Sequence, residues 1–489
     1  MAYTASMSLP KSRFGVSLPL CAGLAAFASA LFSGARLLGD PDTYWHIAAG
    51  RWIIEHRAIP HADIFSNSMA GAPWVPHEWL AEIIFAPAYD FLGWNGPVLL
   101  TALCFAVALA ILTRALLRHL EPIHALAGMA TAWALVVPHL LARPHVLTLP
   151  ILVFWFASLV EARSKNRAPP LWLAGLMILW ANLHGGYVLG LVFAALFAGE
   201  ALVMAPDKNA RLLAVRQWAP FGLAAILASL LTPNGLEGLF FPWHLLQMKY
   251  ALAVLSEWQS PNFQEFQPLE AWLLLGLFAS LSFGVKLPWT RVLMLLLLLH
   301  ISLQHLRNIE VLGLAAPLLI AESVARQLRR ARGNAASALD AVFHSLSGRA
   351  TPAGLACMAF LFVALGAVSL AHPIARESGG YTPEAAVKAA EDAHVTGPVM
   401  NEYAFGGYLI FEGIAPFIDG RADMYGDDFL KTYIDATRGT GGDLSQLLDR
   451  YHTGWTLFAA NTPAAALMAH MPGWRRIYAD DTAVVDVRD

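Results

Sequence analysis

The sequence predicts a multi-pass α-helical membrane protein with a soluble α/β unit at its C-terminal end. Three observations carry that expectation. Of the 489 residues, 57% are hydrophobic and 14% charged, with a mean hydropathy of +0.52, whereas ordinary soluble domains carry about 25% charged residues. Apolar runs long enough to cross a hydrocarbon layer of about 30 Å recur up to residue 372. Beyond residue 376 they stop, and short strand-like and helix-like stretches alternate.

The apolar runs fall at 15–38, 92–117, 123–142, 145–161, 170–184, 186–205, 217–232, 269–285, 289–305, 309–325 and 352–372, about eleven expected spans. The first follows Lys11 and Arg13. Its "ASA" at 28–30 resembles a signal-cleavage site, but the apolar run continues past it, so an uncleaved first span is expected. The division is therefore 1–375 for the membrane part, with a first external loop at 39–91, and 376–489 for the α/β part.

Lysine and arginine set the orientation, because positive loops stay on the cytoplasmic side. With the N-terminus inside, alternate loops collect Arg114 and Arg118, then Arg163, Lys165 and Arg167, then Lys208, Arg211 and Arg216, then Lys286 and Arg291. The Ala/Arg-rich loop at 326–350, expected to be flexible, adds five more. The opposite loops hold Arg36, Arg51, Arg57, Arg143, Lys249 and Arg307. An odd number of spans places residues 376–489 outside, so the expected location is the inner membrane with a periplasmic or extracellular C-terminal part.

Two classes drop out. A net charge of -3 with no basic tract gives no reason to expect a nucleic-acid partner. Cys21, Cys104 and Cys357 lie in apolar runs without metal-ligand or disulfide-framework spacing, so they read as packing residues.

Seven polar clusters fall on the external side: "GDPDTYWH" from 39, "PHEW" at 76–79, "ARPH" at 142–145, "NLHGG" at 182–186, "TPNG" at 232–235, "SEWQSPNF" at 256–263 and "QHLRN" at 304–308. Clusters on one face suggest one site. In the first, the simplest reading is that Asp40 and Asp42 end a span at the water boundary, with Asp42 capping the helix of "TYWHIAAGRWIIEH". The functional reading is that one carboxylate accepts a proton from a hydroxyl nucleophile while the other orients it or holds a cation. His46 and Arg51 follow on the same helix. His77 and Glu78 lack the second histidine of a HExxH metalloprotease site, and Pro76 with Glu78 also suits a helix start.

Arg143, His145, His184 and Arg307 sit at outer span ends, where a polar residue commonly snorkels or caps a helix. Together they form a cationic ring beside the carboxylate pair, suited to binding a lipid-linked phosphate and stabilising it as a leaving group. In the C-terminal part, "TPEAAVKAAEDA" reads as helix, "GPVMNEY" and "PFIDGR" as strands, "DDFLKTYIDA" and "DLSQLLDRY" as helices, "WTLFAA" as strand, "PAAALMAHM" as helix, and "WRRIYAD" and "TAVVDVRD" as strands. The Asp/Arg-rich "FIDGRADMYGDDF" lacks the glutamate of a calcium loop and reads as buried pairing that fixes a turn.

One span, a large external loop opening on a DxD-like acidic pair, many further spans and an external C-terminal domain resemble the GT-C class of integral membrane glycosyltransferases. That class includes oligosaccharyltransferase catalytic subunits, protein O-mannosyltransferases and aminoarabinose transferases. The resemblance implies transfer of a sugar from a polyprenyl-phosphate-linked donor to a glycan, lipid or protein acceptor at the outer face, with Asp40 and Asp42 as the catalytic acidic motif. The residue pattern itself, beside the resemblance, makes His46, Arg51, His77, Glu78, Arg143, His145, His184 and Arg307 the candidate substrate contacts, and a divalent cation (Mg or Mn), if any, is expected at Asp40 and Asp42. Departures are visible: the WWDYG motif of oligosaccharyltransferases is absent, and the pair is DPD where O-mannosyltransferases have DE. The rival expectations are a transporter or flippase of lipid-linked sugars and a non-catalytic subunit of surface-polysaccharide assembly. A transferase requires the acidic pair and the arginines around one cavity.

Overall fold

A computed structural model of the chain describes residues 12–331, 338–376 and 378–489. Each of the eleven apolar runs is helical over most of its length. Among the described residues, five helices are long and apolar enough to cross a membrane: Asn95–Leu116, Pro144–Ser164, Lys208–Ser229, Leu306–Leu328 and Pro352–Ala371. Five apolar helices are shorter: Leu18–Phe32, Leu171–Leu183, Tyr187–Val203, Pro268–Phe283 and Trp289–Gln304. Part of the Ala/Arg-rich loop lies outside the described residues.

The helices form one continuous apolar core. Leu18–Phe32 turns Ala22, Ala26 and Ala30 inward at a spacing of four, one helical face, and Gly23 meets Ala106 and Ala110 of Asn95–Leu116. Small residues let two backbones approach where lipid supplies no hydrophobic drive. Large apolar side chains such as Phe278, Leu281, Phe283, Phe360 and Val363 stay exposed, as expected of faces turned to lipid.

The loop at 39–91 folds as helix Asp42–His56, an irregular stretch, and helix Trp79–Leu92. These helices cross closely at Gly50, where a Cβ would lie 2.1 Å from the carbonyl oxygen of Glu82. Only glycine admits that approach. The expected Asp42 cap is corrected: Pro41 holds the N-cap position, and the Asp40 carboxylate accepts the Asp42 N–H at 2.8 Å. The earlier acid caps the helix and leaves the later one free to face inward.

After the last apolar helix the chain builds a four-stranded sheet from β1 (Val399–Asn401), β2 (Trp455–Ala459), β3 (Trp474–Ala479) and β4 (Ala483–Arg488), in the order β1-β2-β4-β3. β1 and β2 are parallel; β4 runs antiparallel to both β2 and β3. Helices Glu384–Asp392, Gly406–Phe411, Ala422–Arg438, Leu444–Arg450 and Pro463–Met468 complete it. "PFIDGR" is not a strand. Its backbone is held by side chains: Asn401 Oδ1 accepts the Phe417 N–H at 2.7 Å and Asn401 Nδ2 donates to the Ile418 carbonyl at 2.8 Å, while Ser68 donates to the Phe417 carbonyl. Local side-chain bonds of this kind replace a ladder. They tie the C-terminal part to the loop at 39–91.

Candidate active site

A cavity of about 570 Å³ lies where helix ends gather against the C-terminal part. Six of the seven polar clusters reach it; "TPNG" does not. Asp42, His77, Glu78, Arg143, His145, His184 and Arg307 line it together, joined by Glu82, Glu257, Glu310 and Asp423, which the sequence did not single out.

The centre is Arg143, which the Arg143–Pro144 bend places at the mouth of helix Pro144–Ser164. Its Nη1 donates to Asp40 Oδ2 at 3.1 Å and to Glu257 Oε2 at 2.7 Å, and its Nη2 donates to Asp42 Oδ2 at 2.8 Å. Glu257 also accepts from Arg307 Nη1 at 3.0 Å. Three carboxylates thus share two guanidinium groups. Burial pushes the Asp42 carboxyl up to about 7, Arg143 opposing and Asp40 and Glu257 adding to the rise. Burial acts upward on Glu257 too, but the two arginines outweigh it and hold that carboxyl down at about 2. Two acids in one network therefore differ sharply in proton affinity, and Asp42 is the one poised near neutral pH.

The C-terminal part closes this side of the cavity. A Cβ at Gly420 would lie 1.9 Å from Asp42 Oδ1, so only glycine lets that backbone pass. The flanking residues are anchored: Arg421 donates to both Asp419 oxygens, at 2.8 and 2.7 Å, and to Asp63 Oδ1 at 2.8 Å, and Tyr425 donates to Asp419 Oδ2 at 2.7 Å. The pairing expected for "FIDGRAD" is present, but it also delivers Asp423 to the cavity wall. Burial raises the Asp423 carboxyl above its ordinary range, His77 opposing.

The opposite wall carries Glu78, whose oxygens lie 3.5 Å from His184 Nε2, 3.7 Å from His46 Nε2 and 3.8 Å from His77 Nε2. The Gly186 N–H donates to His184 Nδ1 at 3.1 Å, which is what the "HGG" turn provides. Burial, with Arg307 close by, keeps His184 neutral. His46 lies behind this wall, its Nδ1 3.4 Å from Oε1 of the lining residue Glu82, each 1% exposed. Burial lowers the proton affinity of His46 well below its ordinary value and raises that of the Glu82 carboxyl well above its own. His145 pairs with Glu310 at 3.4 Å.

Two expectations need correction. The ring of cations is not free: Arg143, Arg307, His145 and His184 each stand against a carboxylate. Arg51 is not at the cavity. Nine residues beyond Asp42 carries it roughly half a turn around the helix, and it donates to Asp90 Oδ1 at 2.6 Å over the rings of Tyr89 and Phe411. His46, four residues on, keeps the inner face but sits behind the lining.

The residues do not fit a divalent cation between Asp40 and Asp42. The Arg143 guanidinium bridges the two carboxylates where a shared ion would lie, and among the described residues no three His, Cys, Asp or Glu side chains converge as metal ligands.

Among solved structures the chain is similar to ArnT from Cupriavidus metallidurans bound to undecaprenyl phosphate, with a TM-score of 0.50 and 14% identity over 96% of this chain and 97% of that one. The chain has a GT-C fold. The Archaeoglobus fulgidus oligosaccharyltransferase is similar at a TM-score of 0.48 when tethered to an acceptor peptide and 0.45 in the apo form, each with 10% identity over 90% of this chain and 69% of that one. No protein-family profile matches, and no curated protein does. With its apolar helices, the chain is an integral membrane protein.

Proposed function

We propose that the protein is a membrane glycosyltransferase that moves a sugar from a polyprenyl-phosphate-linked donor to the hydroxyl of a glycan, lipid or protein acceptor at the outer face of the cytoplasmic membrane. One observation carries this reading: Asp42, with a proton affinity near neutrality, lines the same cavity as the two arginines.

In this reaction the acceptor oxygen attacks the anomeric carbon and its proton passes to the Asp42 carboxylate. The bond from the anomeric carbon to the phosphate oxygen breaks. The polyprenyl phosphate leaves with the bonding pair, its charge met by Arg143 and Arg307. Asp40 holds the start of helix Asp42–His56 and one edge of Arg143, so it acts by positioning. Glu78, His77, His145, His184 and Asp423 offer hydrogen bonds to the sugar and acceptor. The mechanism routes no step through a metal, since Arg143 supplies the charge between the two carboxylates. The C-terminal part lies on the periplasmic side in this reading.

Asp42→Asn keeps the size and loses the base. It is expected to lower transfer about 10²- to 10⁴-fold in proteoliposomes containing lipid-linked sugars, with folding unchanged. Undiminished transfer would remove Asp42 as the base.

A further inference from the structure

Glu257 is a partly exposed partner of two arginines. One oxygen accepts from Arg143 at 2.7 Å and the other from Arg307 at 3.0 Å, so a single carboxylate spans both guanidinium groups. Its side chain is 31% exposed, against 12% for Asp40 and 15% for Asp42. Asp40 and Asp42 stand at the start of a packed helix; Glu257 stands on the single turn Ser256–Trp258. Arg307 takes its carboxylate contact from Glu257 alone among the described ion pairs, its other neighbours being His184 Nε2 at 3.3 Å and the Trp258 ring at 4.5 Å.

We infer that Glu257 occupies the seat of the donor's phosphate group, and that donor binding displaces it. The inference rests on the proposed function and deepens it. Arginine pairs carboxylate and phosphate with the same fork of N–H donors. A phosphodiester linking a polyprenyl chain to a sugar carries one negative charge, as the Glu257 carboxylate does, so the exchange leaves the charge of the site unchanged. Asp40 and Asp42 stay on Arg143 throughout. The displaced turn is connected to the C-terminal part: Asp427 accepts the Tyr250 and Ala251 N–H groups at 2.9 and 3.0 Å, capping helix Lys249–Val254 just before Glu257, and Ala251 is buried in the core around Phe417 and Leu430. Occupancy of the phosphate seat is thereby transmitted to the residues that close the cavity over Asp42.

The test is binding to the full-length protein in nanodiscs, with undecaprenyl phosphate, inorganic phosphate and undecaprenol as separate probes. A self-ligand that fills its seat in most molecules reduces apparent affinity by the fraction left open. Glu257→Gln is therefore expected to bind undecaprenyl phosphate about tenfold more tightly than the unmodified protein. Undecaprenol binding should be unchanged. A gain with inorganic phosphate equal to that with the lipid would assign the seat to free phosphate and overturn the lipid-donor form of the inference. Asp427→Ala, which touches neither arginine, should give a smaller gain in the same direction and controls for misfolding of the first variant. Equal or weaker binding by both variants overturns the inference while leaving the catalytic reading standing. If Arg143→Gln and Arg307→Gln also bind undecaprenyl phosphate normally, the arginines are not the phosphate seat, and the leaving-group role in the proposed function falls with it.

Discussion

Two arginine networks lie on either side of Gly420, and they are built to different ends. Arg421 is fully buried with Asp419 and Asp63, its guanidinium lying 4.8 Å from the Trp74 ring centre and 5.2 Å from that of Phe65, and the Tyr425 hydroxyl completes Asp419. Every part has a fixed partner. Arg143 is instead shared among three carboxylates on a cavity wall, one poised near neutral pH and one held on a short turn. The first network fixes one geometry. The second holds one acid near neutral pH and another on a short turn, the arrangement the proposed transfer requires.

The largest effect expected from breaking this contrast is on folding. Arg421→Gln leaves the buried Asp419 and Asp63 without their shared cation, and removing one member of a buried ion pair costs about 3–5 kcal/mol. The melting temperature should fall sharply, and transfer should fall with it because Gly420 and Asp423 lose their anchor. A variant as stable as the parent would show that the pairing does not hold the segment. Asp42→Asn is the counterpart, with lost transfer and intact folding.

A smaller effect separates the networks by pH. Asp42 has a folded-state proton affinity above its unfolded value, about 7 against 3.8, so the folded protein binds the extra proton between those limits. Its contribution to stability is present below the unfolded value and is lost as pH rises through about 7. Transfer should move the opposite way, rising through that range as the base ionises. Asp42→Asn should therefore melt higher than the parent above pH 7, and should remove the pH-dependent rise of any residual activity. A transfer rate flat from pH 6 to 8 would assign the base to another group.

How much of this was legible in the chain follows from what each residue's role depends on. The apolar runs became helices because burial in lipid leaves the backbone little alternative. Asp40, Asp42, Arg143 and Arg307 stood out because charges beside apolar runs are conspicuous. Glu257 did not, although its cluster did, because its meaning comes from Arg143, 114 positions away. Asp423 hid in a segment correctly read as an Asp/Arg-paired turn, since nothing local tells which acid of such a turn faces inward and which faces a cavity. "PFIDGR" has strand composition, and only the distant Asn401 and Ser68 side chains explain why it joins no ladder. Arg51 was misplaced by proximity in sequence, where the helical half-turn was the better guide.

The smallest effect is expected at Glu82, which belongs to neither network. It is as buried as Asp419, yet among the described residues no guanidinium pairs with it; its neighbour is His46, and burial together with Glu78 nearby, Arg421 opposing, raises its proton affinity well above the ordinary value. A protonated carboxyl and a carboxamide have nearly the same shape, each with one acceptor oxygen and a donor. Below about pH 4.5, where the unfolded carboxyl is protonated as well, Glu82→Gln should therefore change stability by less than about 1 kcal/mol, a difference within the worth of a single neutral hydrogen bond. As pH rises above that, the parent's unfolded state ionises while its folded state keeps the proton, so the parent loses stability that the variant does not, and Glu82→Gln should melt progressively higher than the parent. A stability loss of several kcal/mol that grows with pH would mean that Glu82 is ionised and paired through His46. The buried carboxyl would then join the reacting network, and the boundary between the structural and the exchangeable acids would shift one helix turn beyond Glu78.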